Sequence, residues 1–274
     1  MAELLADFLE KESIAIPHII GRGILPVKGK MIMFGDPKTN KSYIALNMAL
    51  ALSRGEHIFG AKYNSDTPVL PVNKSYTVLY IEQEIGEDGL RERLKTMIPE
   101  PGGIPFYLKT RDMEMRMDTS GGREAIQKEI EQVRPDVLIL DPLAKFHLAD
   151  ENSAQHMGAV MRVGDHWIED YGLAIIYIHH AGKQQAFVSR KGGQRIRGSS
   201  AMFGDADALM EVVRKSSPTH KEPTLELGFE LRRGEPLESI FIKRLRGGLC
   251  EYLGENFHWG RPPTQKSEVN YANL

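Results

Sequence analysis

Residues 31–43 read MIMFGDPKTNKSY. A short apolar run passes into a polar turn, and a lysine–serine pair then opens a helical stretch over residues 44–54. This order constrains the fold strongly, because a strand, a tight turn and a helix must follow one another without slack. Gly35 to Ser42 satisfies the pattern G-x-x-x-x-G-K-[ST] except where Asn40 stands for the second glycine. The pattern has a mechanical basis. The turn Gly35, Asp36, Pro37, Lys38, Thr39, Asn40, continued by Lys41, Ser42 and Tyr43, can wrap the phosphates of a nucleotide in backbone N–H groups at a helix N-terminus. Lys41 would reach the β- and γ-phosphates, and Ser42 would offer its hydroxyl to Mg²⁺. Asparagine is among the few non-glycine residues that tolerate positive φ, so Asn40 is compatible with the turn. An ordinary strand–turn–helix capped by a lysine is the plain alternative for this octet alone.

Further apolar runs repeat the theme. YTVLYI at 76–81 and VLIL at 137–140 are short and rich in β-branched and aromatic residues, as buried parallel strands are, and residues 173–179 form another. Residues 89–97, 122–133 and 153–171 read as helices between them. Alternating strands and helices predict an α/β fold, a mostly parallel sheet with helices on both faces. Late strands are expected at 206–214, 224–231 and 239–246, the last two as an antiparallel hairpin. One large domain over residues 17–258 is expected. It is preceded in 1–16 by a short amphipathic helix (Leu4, Leu5, Phe8, Leu9) suited to packing on its own domain or a neighbouring subunit. Residues 259–274 read as a poorly ordered tail.

Composition narrows the classes. With 41% apolar and 26% charged residues and a net charge of −2, the chain can build a sizeable core but is no general polyanion binder. The single Cys250 cannot form an intramolecular disulfide, in keeping with a reducing, cytoplasmic setting. No run of about 18 apolar residues occurs, so no membrane partner is expected.

Three of the runs end in polar groups, and in open α/β sheets ligands sit beyond the carboxyl ends of the strands. YIEQE carries Glu82 and Glu84, either of which could orient a water on the γ-phosphate, or could be a solvated loop charge. VLILDP carries Asp141, placed to hold Mg²⁺ through Ser42 or simply to cap a turn. IIYIHHAGK carries His179 and His180, which point to opposite sides of a strand, so at most one faces the nucleotide. Next, residues 183–197 hold the cations Lys183, Arg190, Lys191, Arg195 and Arg197, no acid, and Phe187. Such a loop suits a phosphate backbone and a stacked base, or is a solvated surface loop. Arg244 and Arg246, two apart on the last strand, could reach a neighbouring subunit's γ-phosphate or could serve internal salt bridges.

Taken in order, GDPKTNKS, SRGEHIFG, TVLYIEQE, PDVLILDPL, IIYIHHAGK and IRGSSAMFGDAD resemble the RecA-like P-loop ATPase superfamily, and within it the plasmid and phage replicative helicases of the RepA type. The resemblance implies an ATPase using ATP and Mg²⁺. Lys41 and Ser42 match the Walker A lysine and metal ligand, and Asp141 the Walker B aspartate. Glu84, rather than Glu82, falls at the catalytic glutamate, and His180 at the γ-phosphate sensor. It also implies a homo-oligomer, a hexameric ring with ATP sites between subunits, in which residues 143–153 and 183–197 face single-stranded DNA. A replication initiator or primase would be the recruiting partner. Asn40 is the departure, and it suggests slow turnover. A RecA-like regulatory or recombination ATPase that switches assembly with a partner is the competing expectation.

Overall fold

The structure is a computed structural model, and it describes residues 3–11, 16–60, 62–63, 67–112, 114–182 and 200–255. In chain order its elements begin with α1 (Leu5–Glu10) and a small hairpin of β1 (His18–Ile20) and β2 (Leu25–Pro26). The phosphate-loop strand β3 (Lys30–Gly35) and its helix α2 (Lys41–Arg54) follow, then a minor pair, β4 (Lys62–Tyr63) and β5 (Thr67–Pro68). The α/β series continues with β6 (Val78–Glu82), α3 (Gly86–Met97), β7 (Phe106–Thr110), α4 (Ser120–Val133), β8 (Val137–Asp141), α5 (Ala154–Tyr171) and β9 (Ala174–His180). The chain then adds α6 (Ser200–Asp205), β10 (Ala208–Arg214), β11 (Thr224–Leu231), β12 (Ile240–Arg244) and β13 (Cys250–Gly254).

Nine strands form one sheet in the order β13-β12-β11-β10-β3-β9-β8-β6-β7. From β10 to β7 every pairing is parallel, and β10 to β13 is antiparallel throughout. The expected mostly parallel sheet with a late β11–β12 hairpin is therefore present, and β13 extends it by a strand the apolar pattern does not announce. The inner strands are buried on both faces, which is why they read as unbroken apolar runs.

Alternation along each strand divides the core in two. Met31, Met33, Val137, Ile139, Ile176 and Ile178 face α2 and α3, while Ile32, Phe34, Leu138, Leu140, Ile175 and Tyr177 face α4 and α5. Helix α5 passes so near β9 that a Cβ on Gly164 would lie 2.0 Å from the Tyr177 hydroxyl oxygen. At the amino-terminal rim of the sheet, Lys30 Nζ bridges Asp165 of α5 and Asp205 of α6 at 2.5 Å each, tying both helices to the phosphate-loop strand. Threonine and serine caps begin two helices: Thr119 accepts from Gly122 N–H before α4, and Ser153 from His156 N–H before α5. The expected tail, residues 259–274, lies outside the described residues.

Candidate nucleotide site

Parallel pairing brings the sequence-selected residues to one rim. Gly35 stands in register with His180, and Glu82 with Asp141, so four adjacent strands (β3, β9, β8, β6) end side by side. The turn from Asp36 to Asn40 leaves β3 there. Asn40 adopts φ 67° and ψ 24°, the left-handed conformation that the missing glycine would take, and immediately precedes the first residue of α2. Its Nδ2 is buried and, among the described residues, has no hydrogen-bond partner. Gly35 must be glycine for a different reason, since a Cβ there would meet the Val212 carbonyl oxygen at 2.4 Å.

Lys41 is buried, and its Nζ donates to the carbonyls of Gly35 at 2.8 Å and Asp36 at 2.9 Å. Burial pulls its pKa down to about 8, opposed by the charges of Asp141, Asp36 and Glu84. The ammonium is thus held back along the loop, close to three carboxylates. Asp141 is buried too, and burial raises its pKa, while hydrogen bonds from Tyr80 and Ser42 oppose the rise. The Ser42 hydroxyl and the Asp141 carboxylate are therefore already together, as joint ligation of one Mg²⁺ requires. With Lys41 beside them and the Asn40 amide nitrogen awaiting an acceptor, the residues present fit a Mg²⁺–nucleotide.

The two glutamates separate by what they touch. Glu82 is buried, and its carboxylate accepts the backbone N–H of Glu84 (2.6 Å), Ile85 (2.6 Å) and Gly86 (2.9 Å), capping the start of α3. Glu84 is exposed and its charge acts on both Lys41 and Asp141, which leaves it the carboxylate able to meet a water at this rim. His179 is fully buried within β9 and His180 half-buried at its end, as the expected opposite orientation of neighbours demands.

The late arginines do not share a strand face. Strand β12 ends at Arg244, and Arg246 lies in the following turn, where Gly248 N–H closes onto the Leu245 carbonyl. Arg244 stacks on Tyr43 of its own chain, 4.8 Å from the ring centroid, with Arg93 on the same ring at 4.4 Å. Arg246 is exposed. In the loop after β8, His147 is buried and burial lowers its pKa, so Lys145 is the exposed cation of residues 143–153. Lys183, Arg190, Lys191, Arg195 and Arg197 lie outside the described residues.

Sequence reading passed over Tyr80, Arg93 and Gln83. Tyr80 counted only as a strand filler, yet its hydroxyl donates to Asp141. The available signal was that a tyrosine in a fully buried run needs a partner for its hydroxyl. Gln83 accepts from Asp112 N–H at 3.1 Å and orders the segment after β7.

Residues 1–186 match the AAA domain family. Among solved structures, a KaiC-like protein from the hyperthermophilic archaeon Pyrococcus horikoshii OT3 superposes with a TM-score of 0.57 at 11% identity, over 86% of this chain and 93% of that one. A DnaB-like replicative helicase, described together with its interactions with primase, superposes with a TM-score of 0.61 at 14% identity, over 83% of this chain. This chain spans 58% of that helicase's length. No curated protein matches in sequence. These likenesses confirm the RecA-like fold.

Proposed function

The chain belongs to the AAA domain family and is a RecA-like P-loop ATPase, and on that premise we propose that it is a ring-forming translocase or helicase driven along single-stranded DNA by Mg²⁺-dependent ATP hydrolysis. Lys41 leaves the Gly35 and Asp36 carbonyls to meet the β- and γ-phosphates. Ser42 and Asp141 would hold Mg²⁺, which would supply neutralisation of phosphate charge. Glu84 orients the attacking water, and His180 reads the presence of the γ-phosphate. Of the two late arginines, exposed Arg246 is better placed to reach a neighbouring copy's site, because Arg244 is turned onto Tyr43 of its own chain.

One oxygen atom carries the coupling. The Gly35 carbonyl accepts from Lys41 Nζ at 2.8 Å and from Ala181 N–H at 2.9 Å. Ala181 follows β9 and leads into residues 183–197, the basic segment selected for DNA. Moving Lys41 onto a nucleotide therefore changes a hydrogen bond that the root of that segment shares. A primase or replication initiator as partner is supported by the likeness to the DnaB-like helicase, itself described with primase. A plasmid or phage replicon, the RepA-type setting, suits the same reading.

A second reading has its own support. The chain matches nearly the whole KaiC-like protein but 58% of the helicase, which favours an ATPase that switches assembly with a protein partner. ATP hydrolysis with and without single-stranded DNA, with Lys41→Ala as the blank, separates the two. Stimulation of several-fold is expected, and hydrolysis indifferent to DNA would select the regulatory ATPase.

A further inference from the structure

Helix α2 buries Ile44, Leu46, Met48 and Leu50 in the apolar core. Asn47 stands among them and is itself buried, where an apolar side chain would pack without a polar cost. A buried amide needs partners for its donors and its acceptor. Asn47 finds them in two places. Its Nδ2 donates to the Tyr43 carbonyl one helical turn back at 2.7 Å and to the Gly248 carbonyl at 3.0 Å. Its Oδ1 accepts the Cys250 N–H at 2.9 Å. Gly248 and Cys250 lie where the turn after β12 enters β13, and that turn carries Arg246.

Other contacts fix the same turn. Gly248 is buried at φ 92°, and a Cβ there would come within 2.8 Å of both the Tyr43 ring and the Met97 side chain. The turn therefore lies directly against the first turn of α2. Its base is closed by Leu245 N–H on the Leu249 carbonyl at 2.8 Å. On the far side, Arg246 N–H donates to the Glu222 carboxylate at 3.3 Å, and Lys243 pairs with the same carboxylate at 2.9 Å. The backbone of Arg246 is thus held while the residue itself is exposed.

We propose that Asn47 is a positioning residue for the arginine that one copy offers to the next copy's ATP site. Its amide fastens the Arg246 turn to α2, the helix whose N-terminus is read above as the cradle of the chain's own phosphates. The reach of the arginine into the neighbouring site is then set by the helix that receives the copy's own nucleotide, through direct hydrogen bonds. Truncating the amide removes a partner from the Gly248 carbonyl and from the Cys250 N–H and lets the turn shift. This inference rests on the reading of Arg246 as acting in trans, and it names the residue that places it.

The test mixes two full-length copies. The acceptor copy carries Arg246→Ala and keeps its phosphate loop, while the donor copy carries Lys41→Ala and keeps its arginine. Each alone is a blank, and the mixture should recover ATP hydrolysis at acceptor sites served by donor arginines. Asn47→Ala added to the donor should lower kcat of the mixture about tenfold or more with KM for ATP unchanged, as misplacement of a reacting group does. The same change in the acceptor, whose turn is already blank, should alter kcat by less than about twofold. An equal loss from the acceptor would mark a structural role and overturn the proposal, as would a donor that no longer associates by light scattering. Recovery insensitive to Asn47 in the donor overturns this inference alone, whereas no recovery in the parent mixture overturns the trans arginine and this inference with it. The assay needs no DNA, so its outcome stands apart from the choice between translocase and regulatory ATPase.

Discussion

At the residue scale the site is defined by what holds each charge in place. Lys41 has its pKa lowered to about 8, below its ordinary value of 10.5, so its charged fraction falls from about nine tenths at pH 7 to about one tenth at pH 9. In the proposed role the charged form binds the triphosphate, so ATP affinity should fall across that interval by up to about tenfold, and Lys41→Arg, which stays protonated, should flatten the profile. The effect on stability has the opposite sense. The folded state binds fewer protons than the unfolded one between about pH 8 and 10.5, so this lysine's cost to the fold is relieved as pH rises. Glu84→Gln should lower turnover about 100-fold or more while nucleotide still binds, as expected on removing a general base. Glu82→Gln should instead appear in thermal unfolding, at about 1.5–3 kcal/mol, because it weakens three charge-assisted hydrogen bonds at the start of α3. Asn40→Gly should be tolerated in the fold, whereas Asn40→Ala should lower stability by about 1 kcal/mol, because the left-handed conformation penalises alanine. Much of this rim was legible in advance. The loop spacing selected Lys41 and Ser42, and the apolar run before it selected Asp141. Asn40 was legible through its known tolerance of positive φ. The resemblance singled out Glu84 over Glu82, but the capping of α3 by Glu82 was not legible, because which carboxylate folds back onto the next helix depends on backbone N–H directions that spacing does not encode.

At the element scale the parallel strands were legible because burial on both faces leaves unbroken apolar runs, and β3, β6, β8 and β9 all fall within such runs. Strand β13 was missed because CEYLG alternates weakly and lies at the sheet's end, with Cys250 and Tyr252 only partly buried against the core. The β1–β2 hairpin was missed as well. Its strands span three and two residues, too short for a period to register. Arg246 was assigned to the last strand, yet the turn over 245–248 begins first and carries it off the face it would share with Arg244. Helix packing gives a test at this scale. Gly164→Ala would push a methyl group onto the Tyr177 hydroxyl, so it should lower stability by about 1–3 kcal/mol in denaturant titration, with KM for ATP unchanged.

At the scale of the whole molecule, the sheet order sets function apart from support. The carboxyl ends of β3, β9, β8 and β6 gather the candidate site residues, and the Lys30–Asp165–Asp205 cluster secures the opposite rim. Replacing Arg195 and Arg197 with alanine should leave basal hydrolysis in place and remove its stimulation by single-stranded DNA. Stimulation that persists in that variant would move the DNA contact elsewhere. No helix among the described residues is long and apolar enough to cross a membrane. The separation of the rims has an evolutionary consequence. On the role proposed for Glu84, a descendant that lost hydrolysis through one change there would keep its core, its helix ties and its proposed nucleotide cradle. It would survive as a folded nucleotide receptor, indistinguishable in outline from the enzyme it came from.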